Sequence, residues 1–185
     1  MADVHIRPRV DADLPGLIEA LAWQQPVTHY PLVWPLPFPA EQLLRSGADL
    51  AAWTAALSGR PVGHIGLRRV DPTSAHVQAW MSAHGRPADR LAEVAALFVG
   101  NEVRGMRVGG LLLAAAVDWA ARHDLALCLV VVSDSRNTAA AMYQHKGWKV
   151  VGRSRPPWLS EPAEDLLAMV LPGARPGWLT SGTVE

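Results

Sequence analysis

Residues 103–122, VRGMRVGGLLLAAAVDWAAR, run from a glycine-rich turn with two arginines directly into an apolar segment. Apolar side chains recur in this segment at the spacing of one helix face, which predicts a helix that begins near Val108. The face comprises Val108, Leu111, Leu112, Ala115, Ala116 and Trp119. Gly109 and Gly110 lie in the first helical turn, where each costs about 1 kcal/mol of helix stability relative to alanine. Close approach of a ligand to the bare backbone would explain why glycine is present.

The turn before this helix has the features of an anion site. The first N–H groups of a helix have no partner within the helix and lie at the positive end of its dipole, which suits a phosphate group. Arg104 and Arg107 would add positive charge. The turn lacks the Gly-Lys-Ser/Thr end of a P-loop and the Gly-x-Gly-x-x-Gly pattern of dinucleotide-binding folds. From this stretch alone, tight packing of a strand against a helix explains the glycines equally well.

The rest of the chain alternates between strands and helices. Strands are predicted over residues 4–8, 50–57, 61–70, 93–99, 125–132, 148–154 and 165–172, and further helices over 11–24, 41–47 and 137–146. Residues 25–40 contain five prolines and three aromatic residues, which excludes a regular helix and a central strand. Residues 71–92 are polar and are predicted to be irregular. The order of elements indicates an α/β (α+β) domain with a mixed sheet.

Composition narrows the class of protein. Seventeen basic residues balance seventeen acidic ones, so no charge excess points to nucleic acid or an anionic membrane. The longest apolar run, residues 108–117, is too short to cross a bilayer, and residues 1–9 carry charges where a signal peptide is apolar. Cys128 is the only cysteine, which fits a reducing compartment. We expect a cytoplasmic protein that binds neither nucleic acid nor membrane.

The opening stretch and its neighbours together resemble the GNAT (GCN5-related N-acetyltransferase) superfamily. In that family a strand is followed by Arg/Gln-x-x-Gly-x-Gly/Ala at the start of a long helix. The corresponding residues here are 104-RGMRVG-109, with Arg107 where the family most often has glycine. The strand 93-EVAALFV-99 lies in the place of the family's fourth strand. Downstream, 137-NTAAAMYQHKGWKVVG-152 is similar to the family's Asn-x-x-Ala-x-x-x-Tyr-x-x-x-Gly-Phe segment, with Trp148 in place of phenylalanine.

The resemblance spans roughly residues 4–172 and implies the GNAT fold. This fold is a mixed, mostly antiparallel central sheet of about six to seven strands flanked by helices, with a V-shaped splay between strands 4 and 5. We expect a single acetyltransferase domain over residues 1–185, with a core at about 4–172 and a C-terminal tail at 173–185.

The same resemblance implies an N-acetyltransferase with acetyl-CoA as co-substrate. The acetyl group would move to a primary amine of an unidentified small molecule or peptide, by direct attack in a ternary complex. A GNAT-fold sensor or interaction module that binds an acyl-CoA without turnover is the alternative. Another class of nucleotide-binding α/β protein is disfavoured, because the dinucleotide fingerprint is absent. No cysteine and histidine residues have metal-ligand spacing, so we expect no metal.

Roles in binding the coenzyme follow from the matched positions. The backbone of Leu97 and Val99, with Phe98 between them, would pair with the pantetheine amides. Asn137, also a natural helix N-cap, would hydrogen-bond the coenzyme near its thiol end. The pyrophosphate would be bound by the backbone of Arg104, Gly105, Met106, Arg107, Val108, Gly109 and Gly110.

The resemblance also implies that two residues take part in proton transfer. Tyr143, which would also contact the coenzyme, is the candidate general acid for the departing thiolate; a tyrosine that packs its helix onto the sheet is the structural alternative. Glu93 is the candidate base, directly or through water, and burial would raise its pKa to suit this role. A solvated glutamate at a strand end is the alternative there, and His64 is a second candidate base.

The sequence does not name the acceptor. Its site is expected in the variable segments 23–48 and 71–92 and in the tail after residue 154. These segments hold the aromatic residues Trp23, Tyr30, Trp34, Phe38, Trp80 and Trp158. They favour an apolar or aromatic acceptor pocket. Core closure over irregular loops, or the interface of a homodimer, explains them as well.

Overall fold

The computed structural model describes residues 4–133, 138–159 and 165–173. Seven strands lie in these ranges: β1 (Val4–Pro8), β2 (Asp49–Leu57), β3 (Arg60–Arg69), β4 (Leu91–Val99), β5 (Ala126–Ser133), β6 (Lys149–Ser154) and β7 (Asp165–Val170). The α helices in the same ranges are α1 (Leu14–Thr28), α2 (Ala40–Leu44), α3 (Val77–His84), α4 (Val108–Arg122) and α5 (Ala139–His145). None of these helices combines the length and the apolar character needed to cross a bilayer.

The strands form one mixed sheet in the order β1-β2-β3-β4-β5-β7-β6. Strands β4 and β5 pair in parallel, and the other neighbouring pairs are antiparallel. Helix α4 packs across β2, β3 and β4, and α1 packs against β3 and β4. Helix α3 packs against β6 and β7. The predicted mixed, mostly antiparallel sheet with flanking helices is confirmed.

The parallel pair β4–β5 separates soon after it forms. Its register contains only three residue pairs, the last of which is Glu93 opposite Cys128. Both strands continue beyond this point, β4 to Val99 and β5 to Ser133. A wedge-shaped gap therefore opens in the middle of the sheet, and the strand edges that face it are left for other partners.

A β-bulge in β4 directs the strand away from β5. Ala96 has φ +50°, and the register of β4 against β3 shifts between His64 and Gly66. Before the bulge, Val94 packs in the core beneath α4; after it, Phe98 packs in the core beneath α1. Residues an even number apart lie on the same side of a regular strand, so the bulge has reversed the two faces of β4.

Helix α1 is longer than predicted. It continues through Pro26 to Thr28, so the prediction that residues 25–40 exclude a regular helix is wrong for its first four residues. Pro26 lies in the last turn, where it removes the one helical hydrogen bond to the carbonyl of Ala22 and only two helical residues follow it. The side-chain amide of Gln24 donates to the carbonyl of Leu21, and His29 ends the helix in a left-handed conformation.

The prediction that residues 71–92 are irregular is also wrong, because they contain α3. Val77 and Trp80 are buried in the core formed by α3, β5 and β7, and Met81 packs against them. Their spacing is that of a helix face. Gly85 ends α3 with φ +62°. The apolar pattern of α3 is only one helical turn long and lies between polar residues, so the sequence did not predict this helix.

Helix α4 begins at Val108, as predicted, but its buried face is rotated from the predicted one. Val108, Leu112 and Ala116 are buried as expected, whereas Leu111 is 49% exposed. The remaining buried residues are Leu113, Val117 and Ala120. Almost every residue from 111 to 117 is apolar, so periodicity alone could not fix the orientation of the helix.

Candidate active site

The turn before α4 presents free backbone donors. The amide of Met106 donates to the carbonyl of Val103, and the amides of Gly110 and Leu111 donate to Arg107. The amides of residues 105, 107, 108 and 109 have no acceptor within the described ranges. They cluster at the positive end of the α4 dipole, which makes the turn suitable for an anion.

The glycines of the first α4 turn are not required by packing. A Cβ atom on Gly109 would lie 3.9 Å from Val99, and one on Gly110 would lie 3.5 Å from Nζ of Lys146. Both distances are ordinary van der Waals contacts. Tight packing of the strand against the helix therefore does not explain these glycines, which leave the backbone of the first turn open to close approach.

Lys146 brings positive charge to this helix end. Its Nζ lies near Gly110, whereas its backbone follows α5. Sequence reasoning missed Lys146, because no spacing rule connects the end of α5 to the start of α4. Arg104, Met106 and Arg107 are exposed around the same turn, and Val108 is buried beneath it.

Arg107 occupies a backbone conformation that favours glycine. Its φ and ψ are 60° and 14°, in the left-handed region. This conformation costs a residue with a Cβ atom roughly 1–2 kcal/mol. The glycine that the resemblance leads us to expect here is thus explained by geometry, and Arg107 adopts the same geometry at a cost in stability.

We expect Arg107→Gly to stabilise the fold. Relief of roughly 1–2 kcal/mol of strain exceeds the about 0.5–1 kcal/mol of extra chain entropy that glycine loses on folding. The net gain in the free energy of unfolding is about 0.5–1 kcal/mol, measured by urea denaturation. Arg104→Gly is the matched control, because Arg104 has φ −64° and should lose stability. Equal losses in both variants would contradict the argument.

Two adjoining cavities lie along β4 where it has separated from β5. The α4-side cavity has a volume of about 330 Å³. Predicted coenzyme-binding residues line it, namely Leu97, Phe98, Val99, Arg104 and Gly109. The β5-side cavity has a volume of about 270 Å³ and is lined by Glu93 and Tyr143. Tyr30, Leu97 and Ala139 line both cavities, so the two meet at these residues.

Tyr143 reaches the β5-side cavity from α5. Its side chain is buried and contacts Trp148 edge-on, with ring centroids 5.4 Å apart. Burial raises the pKa of the Tyr143 phenol above its usual value, and the nearby Tyr30 raises it further. The phenol is therefore protonated across the neutral pH range. Within the described part of the chain, its hydroxyl has no hydrogen-bond partner.

Glu93 lies on β4, opposite Arg68 of β3 and Cys128 of β5. Burial raises the pKa of the Glu93 carboxyl, and the positive charge of Arg68 partly opposes this rise. The thiol of Cys128 is fully buried, and burial raises its pKa as well. Glu93 is thus a partly desolvated carboxyl at a cavity wall, and the solvated strand-end alternative does not describe it.

His64 has a different setting. It is fully buried, and its Nδ1–H donates to the carbonyl of Ala96 at 2.9 Å. Burial lowers the pKa of His64 to about 4, so the ring is neutral. His64 stacks on Phe98 and lines neither cavity. Its contacts hold the bulge of β4 in place.

The predicted aromatic residues do not converge on one pocket. Tyr30 lines both cavities, and Trp80 is fully buried beneath α3. The exposed members of the group are Trp23, Trp34, Phe38 and Trp158. Asn137 lies outside the described residues. In the described part of the chain, no cluster of His, Cys, Asp or Glu side chains has the geometry to hold a metal ion.

Comparison with known proteins points to one family. The sequence profile of the Acetyltransferase (GNAT) family matches residues 17–148. Among curated proteins, none matches this chain. Solved structures with a similar fold include the ribosomal-protein-S18-alanine N-acetyltransferase from Escherichia coli, with a TM-score of 0.64 and 18% identity over 91% of this chain and 93% of that chain.

Two further structures share the fold. A GCN5-related N-acetyltransferase from Kribbella flavida has a TM-score of 0.65 and 20% identity over 90% of this chain and 96% of that chain. A GNAT family N-acetyltransferase from Escherichia coli in complex with CoA has a TM-score of 0.60 and 20% identity over 98% of this chain and 87% of that chain. On the family match over most of its length and on its fold, this chain belongs to the Acetyltransferase (GNAT) family.

Proposed function

We propose that the protein is an acetyl-CoA-dependent N-acetyltransferase that acts on a primary amine in a ternary complex. The pair of adjoining cavities in the β4–β5 gap carries this proposal. One cavity adjoins the anion-binding turn of α4, and the other is lined by a protonated phenol and a desolvated carboxyl. A donor in the first cavity and an acceptor in the second would meet at Tyr30, Leu97 and Ala139.

The coenzyme would lie along β4 beyond the point where β5 has separated. Here the backbone of Leu97 and Val99 is proposed to pair with the pantetheine amides, as an added strand would. The turn over residues 104–110 would hold the pyrophosphate with its free amides, and Arg104 and Lys146 would add charge.

The chemical step forms one bond and breaks one. The amine nitrogen attacks the thioester carbonyl carbon, an N–C bond forms and the C–S bond breaks. The proton lost by the amine passes to Glu93, directly or through water. The departing sulfur accepts a hydrogen bond from the Tyr143 hydroxyl.

The pKa of Tyr143 limits what this phenol can do. An ordinary thiol has a pKa of about 8.5 and an ordinary phenol about 10. Burial makes Tyr143 a still weaker acid, so full proton transfer to a free thiolate is uphill. Tyr143 would instead donate its hydrogen bond while the C–S bond breaks and keep its proton, so that CoA leaves as a thiolate and Glu93 holds the proton from the amine.

We expect Glu93→Gln to lower kcat at pH 7 by about 10²- to 10⁴-fold, as loss of a general base does. The base form exists above the pKa of Glu93, which burial raises, so the wild-type rate falls as the pH drops through that value. The variant should lack this limb of the pH–rate profile. Glu41→Gln is the control, because Glu41 is exposed on α2. An unchanged rate and pH profile in Glu93→Gln would remove Glu93 from the mechanism.

The proposed function is tested by thermal melting and by thiol release. Acetyl-CoA should raise Tm in a concentration-dependent manner, because it binds the native state. Stabilisation by NAD or ATP, with none by acetyl-CoA, would overturn the proposal. Thiol release is then followed with a broad panel of amines. Stabilisation by acetyl-CoA without amine-dependent thiol release would favour the acyl-CoA-binding module instead.

A further inference from the structure

We infer that the acceptor is an apolar α-amino acid, with its carboxylate bound by Arg68 and its amino group beside Glu93. The inference rests on the proposed function and specifies its substrate. Arg68 lines the β5-side cavity and was not singled out by the sequence.

Arg68 shares the carboxylate of Asp49 with a second arginine and lies opposite Glu93. Its Nε donates to Oδ1 of Asp49 at 3.1 Å, and Nη2 of Arg9 lies 3.4 Å from Oδ2 of the same carboxylate. Two guanidinium groups therefore share one carboxylate. All three side chains are largely removed from water, with exposed fractions of 10% for Arg9, 15% for Asp49 and 21% for Arg68. Arg68 and Glu93 thus present one positive and one negative group to the same cavity, which match the two charges of a zwitterion.

Arg68 also retains hydrogen-bond donors. A guanidinium carries five N–H groups in a fixed plane. Nε is used by Asp49, and Nη2 donates to the carbonyl of Leu43. These contacts fix the plane of the guanidinium and leave Nη1 without a partner among the described residues, at a side chain that lines the cavity. A carboxylate is the anion whose two oxygens match such a planar group.

The register of the sheet determines how far apart the two bound groups can be. Arg68 and Glu93 are directly opposite in the antiparallel pair β3–β4. Opposite residues project to the same face with Cβ atoms about 4.5–5.5 Å apart. Both side chains line the same cavity, so a carboxylate at Arg68 and an amine at Glu93 would belong to one small molecule on one face of the sheet. An α-amino acid carries both groups on one carbon, whereas an ω-amino acid or the N-terminus of a peptide does not.

The other residues that line the cavity indicate which kind of side chain the acceptor carries. They include Leu32, Leu43, Val130, Val131 and Val132. Apolar walls favour an apolar group, and the few polar groups then fix its orientation. Leucine is a suitable probe for this cavity.

The test compares three acceptors with the wild-type protein and acetyl-CoA in a thiol-release assay. L-Leucine carries both groups on one carbon, isopentylamine is leucine without its carboxylate, and 6-aminohexanoate separates the two groups. We expect kcat/KM for leucine to exceed that for the other two by about 10- to 100-fold, the effect of a charge-assisted hydrogen-bonded pair. Equal use of leucine and isopentylamine would overturn the inference and leave the proposed function intact. Absence of thiol release with every amine would contradict both this inference and the proposed function.

Variants of Arg68 test whether this residue causes the preference for leucine over isopentylamine. Arg68→Gln should lower kcat/KM for leucine by a similar factor, mainly through KM, and lower it much less for isopentylamine, whose loss comes only from the further rise in the pKa of Glu93. Arg68→Lys keeps the charge and should restore part of the preference. Arg69→Gln is the matched control, because Arg69 is the next residue of β3 and is exposed. Melting temperatures are measured for all three variants. A purely structural Arg68, which ties β3 to Leu43 and Asp49, would instead lower the rates with both acceptors equally.

Discussion

Tyr143→Phe is expected to lower kcat by about 10²- to 10³-fold, the usual effect of removing a hydrogen-bond donor aimed at developing negative charge. The KM for acetyl-CoA should change little, because the hydroxyl is needed only as negative charge develops on sulfur. The ring is retained, so its edge contact with Trp148 and the burial of α5 are preserved. Thiol release under saturating acetyl-CoA measures the loss.

The same variant separates catalysis from binding. Acetyl-CoA should still raise the Tm of Tyr143→Phe as it does for the wild type. Gln144→Ala, at the next and exposed position of α5, serves as the control and should retain full activity. If Tyr143→Phe releases thiol at the wild-type rate, the proposed hydrogen-bond donor is wrong and Tyr143 only packs α5 onto the sheet.

Trp80→Ala should destabilise the protein by about 3–5 kcal/mol, which is typical when a fully buried tryptophan is removed. Trp80 has no exposed surface and forms the centre of the core between α3 and the β5–β7 part of the sheet. Its indole N–H is buried without an acceptor in the described ranges. Because that donor gains nothing from the protein, Trp80→Phe should cost far less than Trp80→Ala.

Urea denaturation of the two variants checks both statements. Trp158→Ala is the control, since Trp158 is 60% exposed and its removal should change the free energy of unfolding by less than about 0.5 kcal/mol. A loss below about 1 kcal/mol in Trp80→Ala would contradict the buried position of α3.

Parts of the fold could be predicted where a pattern was long. The apolar run at 125–132 predicted β5, and the glycine turn with its long apolar segment predicted the start of α4. Prediction failed where tertiary packing outweighed local preference. Helix α1 continues through Pro26, and α3 was missed because it has only eight residues and its apolar pattern covers a single turn.

Only part of the candidate active site could be predicted from the sequence. The resemblance to the GNAT family implied Glu93 and Tyr143, and both line one cavity in the structure. Arg68 could not be selected, because it adjoins Arg69 and the sequence does not show which of them faces the gap. That choice depends on the register of β3 against β4, which the bulge at Ala96 alters. The role of Asn137, the single-domain boundary and a homodimer stay predictions.

The brief contact between β4 and β5 has a mechanical consequence. The sheet consists of a four-stranded panel, β1 to β4, and a three-stranded panel, β5 to β7, joined along a seam of three residue pairs. A molecule that hydrogen-bonds to the open edge of β4 while it touches β5 would lengthen this seam. A molecule bound in the gap would then hold the two panels together. The same contacts would limit movement of the panels relative to each other and determine how long the molecule stays bound.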